Sequence, residues 1–153
     1  MVKVASYDVV FQEIPGEVTL AFNLSGCPCH CPGCHSQHLW EDIGEPLTPE
    51  LLDNLIDRYK GLITCVAFMG GDAEPEEVLR LAALVQGLKT AWYSGRPSSP
   101  SEYGDLGTLD YVKFGPYIES LGGLKSEKTN QRLYKRVGDS WEDITSSFWK
   151  KNL

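Results

Sequence analysis

The segment EVTLAFNLSGCPCHCPGC, residues 17–34, decides the fold because it joins a strand pattern directly to a cluster of cysteines. Val18, Leu20, Phe22 and Leu24 alternate with smaller or more polar residues, which is the period of a β-strand. The cysteine loop therefore follows the carboxyl end of a strand. In α/β folds this end of the sheet is where ligands bind, so the segment predicts a site as well as a strand.

Helices and strands alternate in the residues that follow. Helix starts are predicted at Thr48-Pro49-Glu50 and at Pro75-Glu76-Glu77, where a proline opens the first turn and an acid follows it. Strands are predicted over residues 62–69, 89–94 and 109–114. Residues 62–69 are nearly all apolar, which is typical of a parallel strand covered on both faces. The alternation predicts βαβ units and a parallel α/β sheet with right-handed crossovers.

The last third of the chain has a different pattern. Residues 96–107 have the composition of a loop. Residues 133–137 and 140–145 are predicted to pair as a hairpin on the two-residue turn Gly138-Asp139. No repeat or linker divides the chain, so residues 1–153 are interpreted as a single domain.

Composition and charge exclude several classes of function. The chain has 42% hydrophobic and 23% charged residues, as ordinary globular proteins do. Its formal net charge of -7 argues against a nucleic-acid partner, which requires an excess of Lys and Arg. The N-terminal stretch MVKVASYDVV has no signal-peptide pattern, and no stretch reaches the roughly 18 apolar residues of a membrane span. A cytoplasmic location without a membrane partner is expected.

Four groups of polar, cysteine or glycine residues come directly after predicted strands. They are residues 27–34, 70–72, 93–95 and 113–115. Because the carboxyl ends of parallel strands meet at one edge of a sheet, these groups are expected to lie close together. The convergence indicates a functional site independently of any single motif.

The spacing Cys27-x3-Cys31-x2-Cys34 is typical of thiolates that share one metal centre. Three thiolates can hold three corners of a cubane iron–sulfur cluster, and the fourth iron then stays open for a small molecule. Cys29 is an alternative fourth ligand that would close the cluster. Because one residue separates it from a cysteine on each side, it is interpreted as a bystander.

Zinc is the other metal that this loop suits. All three histidines, His30, His35 and His38, lie in the loop or just after it. A structural zinc site usually has two separated ligand pairs, however, and the sequence shows no second pair. The remaining cysteine, Cys65, lies inside a predicted buried strand and is interpreted as part of the core.

Four segments together resemble the activating proteins of anaerobic, class III ribonucleotide reductases, within the radical S-adenosylmethionine superfamily. The segments are FNLSGCPCHCPGCHSQHLW (22–40), MGGD (69–72), WYSG (92–95) and GGLKSEKTNQR (122–132), and the resemblance spans nearly the whole chain. It implies a truncated, partial TIM-type barrel of parallel strands with outer helices and a C-terminal hairpin extension.

The resemblance also implies roles for particular residues. Three irons of a 4Fe-4S cluster would be held by Cys27, Cys31 and Cys34, and S-adenosyl-L-methionine would chelate the fourth. The methionine part of S-adenosylmethionine would contact Gly70, Gly71 and Asp72. The same pocket would be lined by Tyr93, Ser94 and Gly95, and the adenine would lie near the backbone of Gly33 and His35. The chain departs from the wider pattern at Gly33, where an aromatic residue is frequent, and at Ala73, where proline is frequent.

The partner implied by the resemblance is the large catalytic subunit of anaerobic ribonucleotide reductase, with a flavodoxin- or ferredoxin-like electron donor. The basic stretch 125–136 is either a docking surface for a partner or a solvated hairpin edge. Other readings stay open: an activase of another glycyl radical enzyme such as pyruvate formate-lyase, a radical enzyme acting on a small molecule, a closed-cluster electron carrier, or a zinc-stabilised interaction module.

Overall fold

A computed structural model describes residues 2–25 and 44–149. Within these residues the strands are β1 (Lys3–Val10), β2 (Thr19–Leu24), β3 (Glu45–Pro46), β4 (Cys65–Met69), β5 (Lys89–Tyr93), β6 (Tyr111–Phe114), β7 (Arg132–Val137) and β8 (Ser140–Asp143). The helices are α1 (Pro49–Arg58), α2 (Pro75–Leu84) and the short α3 (Pro100–Tyr103), and a 3-10 turn spans Thr145–Phe148.

The described strands form one mixed sheet in the order β3-β1-β2-β4-β5-β6-β7-β8. Strands β2, β4, β5 and β6 are parallel, whereas β1 and β3 on one side and β7 and β8 on the other pair antiparallel. The α/β class, the parallel centre and the C-terminal hairpin are confirmed. The TIM-type barrel is not, because the sheet is not closed and antiparallel strands extend the parallel centre on both sides.

Helix α1 begins and packs as its sequence predicts. Thr48 is the N-cap and its side chain accepts a hydrogen bond from the Leu51 amide (3.1 Å), while Leu52 and Leu55 bury the inner face. Helix α2 begins at Pro75 and buries a stripe of Val78, Leu81 and Ala82. In the part of the chain that the structure describes, no helix is long and apolar enough to cross a membrane.

Alternating side chains give the sheet two different faces. On one face, Leu20, Phe22, Phe68 and Trp92 belong to a large hydrophobic core with the buried sides of α1 and α2. The opposite face carries a smaller core built on Cys65, Ala67, Ala91 and Tyr111 of the strands, covered by Ile14 from the segment between β1 and β2. Among the described residues, α1 and α2 pack on the face of the larger core, and the 3-10 turn contributes Phe148 to the smaller one.

Four of the described elements were not predicted: β1, the two-residue β3, α3 and the 3-10 turn. Strand β1 is half-exposed along most of its length, so its apolar period is weak, and it exists because it pairs antiparallel with β2. Helix α3 lies inside the predicted loop 96–107. It is a single turn in which Ser99 is the N-cap and accepts from the Glu102 amide (3.3 Å), a local signal that the loop composition of the segment concealed.

A buried carboxylate ties the amino ends of the parallel strands together. Glu17 accepts hydrogen bonds from Thr64 Oγ1 (2.7 Å), Lys89 Nζ (3.0 Å) and Tyr111 OH (2.8 Å). Burial opposes ionisation of Glu17, but the bonds from these three groups outweigh it and lower the pKa of the carboxyl below its ordinary value. This network lies at the edge of the sheet opposite the predicted site, so we assign it to the stability of the fold.

Candidate functional site

The carboxyl ends of the four parallel strands lie side by side, as the sequence predicts. In the register of the sheet, Asn23 pairs with Met69, Met69 with Tyr93, and Tyr93 with Lys113. This row of four residues marks the edge, and the predicted site residues follow it directly along the chain. We call this part of the molecule the carboxyl edge.

The end of β2 leads, in the sequence, into the cysteine loop. Strand β2 ends at Leu24, and the next amide, that of Ser25, donates to the carbonyl of Lys3 (3.0 Å). The predicted cluster ligands Cys27, Cys31 and Cys34 lie outside the described residues. The same holds for the predicted adenine contacts Gly33 and His35, and for Cys29, His30 and His38.

The turn after β4 needs both of its glycines. Gly70 and Gly71 have φ of +100° and +79°, which favour glycine. A Cβ on Gly71 would lie 2.5 Å from Val78 Cγ2 and 2.9 Å from Leu24 Cδ1, so the turn packs closely against α2 and β2. The Gly70 carbonyl accepts a hydrogen bond from Trp92 Nε1 (2.7 Å). The carbonyl of Gly70, one of the residues expected to contact the ligand, therefore already accepts a hydrogen bond from a core side chain.

Asp72 links the glycine turn to the end of β5. Its side chain is buried, with Ser94 Oγ donating to Oδ1 (2.5 Å) and the Gly95 amide donating to Oδ2 (2.9 Å). The structure thus brings Asp72, Ser94 and Gly95 together as predicted. Their polar atoms form hydrogen bonds to one another, and these bonds stabilise the carboxyl edge.

Tyr93 lies on the opposite face of the sheet from this linkage. It packs with the smaller core, and its hydroxyl donates to the backbone carbonyl of Glu13. Burial raises the pKa of Tyr93, so the phenol stays protonated. Beside Tyr93 lies a cavity of about 330 Å³, whose walls include Tyr117, Leu124 and Phe148. The predicted pocket residues therefore divide between two faces, and Tyr93 lines this cavity.

Lys113 and Arg96 also belong to the carboxyl edge, although no role was predicted for either side chain. The buried ammonium of Lys113 donates to the carbonyls of Ser94 (3.2 Å) and Gly115 (2.8 Å). A lysine inside the apolar strand DYVKF is the signal that could have indicated it. Arg96 Nη2 donates to the Asp72 carbonyl (2.8 Å). In the sequence, Arg96 is marked as a candidate site residue by its position just after the end of β5.

Several cations of the basic stretch 125–136 are engaged within the molecule. Arg136 donates from Nε to the Leu109 carbonyl (2.6 Å), and its guanidinium lies 4.5 Å from the centroid of the Trp141 ring. Lys125 donates to Gln12 Oε1 (2.7 Å). These contacts favour a structural role for part of the stretch over a free docking surface.

Cys65 is a core residue, as predicted from its strand. It is fully buried, and burial, followed by the charge of Glu17, raises the pKa of its thiol to about 12. A neutral buried thiol is a poor metal ligand. Among residues 2–25 and 44–149, no group of three or more His, Cys, Asp or Glu side chains is placed to hold a metal ion.

Comparison with known families indicates which metal centre the cysteine loop binds. The family model for the 4Fe-4S single cluster domain matches residues 15–95, which is more than half of the chain and includes the whole cysteine loop. The matched region also contains β2, β4 and β5 and the glycine turn. No curated protein and no solved structure matches the chain. Four cysteines that follow a strand of the parallel centre in the sequence agree with the family match, and the chain belongs to the family of 4Fe-4S single cluster domains.

Proposed function

We propose that this protein is a cytoplasmic iron–sulfur oxidoreductase that cleaves S-adenosylmethionine reductively and generates a glycyl radical on the large subunit of anaerobic ribonucleoside-triphosphate reductase. The supporting observation is the position of the end of β2. Strand β2 ends at Leu24 at the carboxyl edge, beside the glycine turn of β4 and next but one to the polar end of β5, and the cysteine loop follows it in the sequence. A ligand held between these strand ends would lie close to the residues that lead into the loop.

The donor set of the loop fits a cluster with one open iron. Cys27, Cys31 and Cys34 would hold three irons, since thiolates are the ligands that such clusters prefer. When bound, the cluster supplies one electron that breaks the sulfonium C–S bond, giving methionine and a 5′-deoxyadenosyl radical that removes a hydrogen atom from glycine. Cys29 would stay unligated, so that the fourth iron can take the amino and carboxylate groups of S-adenosylmethionine.

The protein's own contribution would be orientation and shielding. Gly70 and Gly71 carry no side chain, so a ligand can approach the backbone of the turn closely. The cavity beside Tyr93 lies over the smaller core, and its apolar and aromatic walls come from Tyr93, Tyr117, Leu124 and Phe148. Such walls would exclude water from a reactive radical.

A protein substrate suits this surface better than a small metabolite does. Phe11 is 66% exposed and directly precedes Gln12 and Glu13, which line the cavity. Phe11 would be one contact for a protein substrate whose glycine enters the cavity. The electron would come from a flavodoxin- or ferredoxin-like donor.

The test is reductive cleavage of S-adenosylmethionine by anaerobically reconstituted protein. We expect about four irons and four sulfides per chain, and release of 5′-deoxyadenosine after addition of dithionite, measured by chromatography. Replacing Cys27, Cys31 or Cys34 with Ala should abolish release, whereas Cys29→Ala, the matched control within the loop, should retain it. Zinc without iron and sulfide, or equal loss in Cys29→Ala, would contradict the proposal.

The partner is tested separately by electron paramagnetic resonance. Incubation with the large subunit of anaerobic ribonucleotide reductase, S-adenosylmethionine and reductant should give the doublet signal of a glycyl radical. Pyruvate formate-lyase serves as the comparison substrate. A radical on the lyase alone would move the proposal to another glycyl radical enzyme, and 5′-deoxyadenosine without any protein radical would favour a small-molecule substrate.

A further inference from the structure

Arg96 touches the ends of three neighbouring strands at the carboxyl edge. Its Nη2 donates to the carbonyl of Asp72 (2.8 Å), in the turn after β4, and its Nε lies 3.5 Å from Asp72 Oδ1. The Arg96 amide donates to Ser94 Oγ (3.1 Å), at the end of β5. Its carbonyl accepts from the amide of Gly115 (2.7 Å), after β6. One residue therefore joins all three strand ends.

The contacts to Asp72 add to the bonds that already hold the glycine turn. Gly70 and Gly71 have no side chains, and glycine loses more backbone freedom on folding than any other residue, so the turn depends on bonds from its neighbours. The Gly70 amide donates to the Tyr93 carbonyl (2.9 Å), and the Gly70 carbonyl accepts from Trp92 Nε1 (2.7 Å). At the other end of the turn the guanidinium of Arg96 donates to the Asp72 carbonyl, and its charge lies next to the buried carboxylate. A planar guanidinium can donate to the carbonyl and keep its delocalised charge beside the carboxylate, an arrangement that the point charge of an ammonium does not reproduce.

We propose that Arg96 is the positioning residue of the S-adenosylmethionine site, holding the Gly70–Asp72 turn in the shape that receives the methionine part. This inference rests on the proposed function. Arg96 itself would not touch the reacting atoms. A turn that is already rigid in the free protein does not have to be ordered when the ligand binds, so less of the binding free energy is lost.

A positioning role and a purely structural role predict different kinetics. If Arg96 only stabilised the fold, its loss would lower the melting temperature and the fraction of active protein, and kcat per folded chain and KM would stay the same. If it shapes the turn, the KM for S-adenosylmethionine rises while the absorption spectrum of the cluster is retained. The split between KM and kcat is therefore the informative measurement.

The experiment compares Arg96→Ala and Arg96→Lys with Arg80→Ala as the matched control. Arg80 lies on α2, exposed, and is paired with Glu77 at 2.5 Å, away from the carboxyl edge. All proteins are reconstituted anaerobically, and 5′-deoxyadenosine release is measured over a range of S-adenosylmethionine concentrations, with the cluster spectrum and melting temperature recorded. We expect Arg96→Ala to raise KM about tenfold, the size of effect that supporting contacts around a site have. Arg96→Lys should fall between this variant and wild type, and Arg80→Ala should match wild type.

Each outcome decides between the two proposals. A wild-type KM in Arg96→Ala, with wild-type cleavage intact, overturns the role of Arg96 and leaves the proposed function standing. Absence of cleavage by the wild type overturns the proposed function and this inference with it. If Arg96→Ala does not fold, Arg96→Lys decides: a raised KM with an intact cluster spectrum supports the role, and a wild-type KM overturns it.

Discussion

Gly71 shows how much a single missing side chain matters at the carboxyl edge. Its φ of +79° strains any other residue, and a Cβ would lie 2.5 Å from Val78 Cγ2. We expect Gly71→Ala to lower the free energy of unfolding by about 3 kcal/mol, from about 1 kcal/mol of backbone strain and about 2 kcal/mol of overpacking. Urea denaturation under identical anaerobic conditions measures the loss.

Gly87 provides the control for this substitution. It has a similar φ of +74°, but nothing lies within 4 Å of an added Cβ. Gly87→Ala should therefore lose only the backbone contribution, about 1 kcal/mol. Equal decreases in the free energy of unfolding for Gly71→Ala and Gly87→Ala would show that the close packing of Gly71 against α2 does not contribute to stability.

Predictions for single residues were confirmed where the role of the residue depends on its neighbours in the sequence. Cys65 was assigned to the core from the apolar strand around it, and it is fully buried. Asp72 is different, because its bonds go to Ser94 and Gly95, more than twenty residues further along the chain. Only the pairing of β4 with β5 brings these groups together. No local pattern could have shown that the carboxylate is used inside the protein, or that Arg96 meets it.

At the scale of elements, the same distinction separates the predicted structures from the missed ones. Helix α1 carries its own start signal in Thr48 and its own buried stripe, so it was predicted closely. Strand β1 has no such pattern and depends on its ladder with β2. The openness of the sheet is also a matter of pairing, since β7 pairs antiparallel with β6 and β8 pairs antiparallel with β7.

The network around Glu17 gives the sheet a dependence on pH. Because folding lowers the pKa of this carboxyl, the unfolded chain takes up the proton first as the pH falls. The stability that Glu17 contributes is therefore fully present above its ordinary pKa of 4.5 and is lost as the pH falls through the lower folded value. Glu17→Gln should cost about 2 kcal/mol at pH 7, the value of bonds to a charged group.

Denaturation at pH 7 and at pH values below 4.5 tests this dependence. The difference in stability between wild type and Glu17→Gln should shrink as the pH falls, since the wild-type carboxyl then loses its charge. Glu119→Gln, at an exposed position, should match wild type at every pH. A difference that stays constant with pH would mean that the charge of Glu17 does not contribute.

At the scale of the whole molecule, the described residues already account for a hydrophobic core on each face of the sheet. The larger core joins β1, β2, β4, β5 and β6 to α1 and α2, and the smaller one lies on the opposite face. Both cores are assembled from residues within 2–25 and 44–149. We therefore expect the domain to fold without its cluster, in contrast to small zinc modules whose folding depends on the metal.

This contrast predicts how the protein behaves without its cluster. After anaerobic chelation of iron, or in the triple variant Cys27→Ala/Cys31→Ala/Cys34→Ala, the far-ultraviolet circular dichroism should keep the signal of the sheet, and thermal unfolding should stay cooperative. The cluster adds only the stability that ligand binding to the folded state gives, so the melting temperature should fall without loss of the transition. An apo protein with no cooperative transition would instead mean that the metal holds the domain together, as in a zinc-stabilised module.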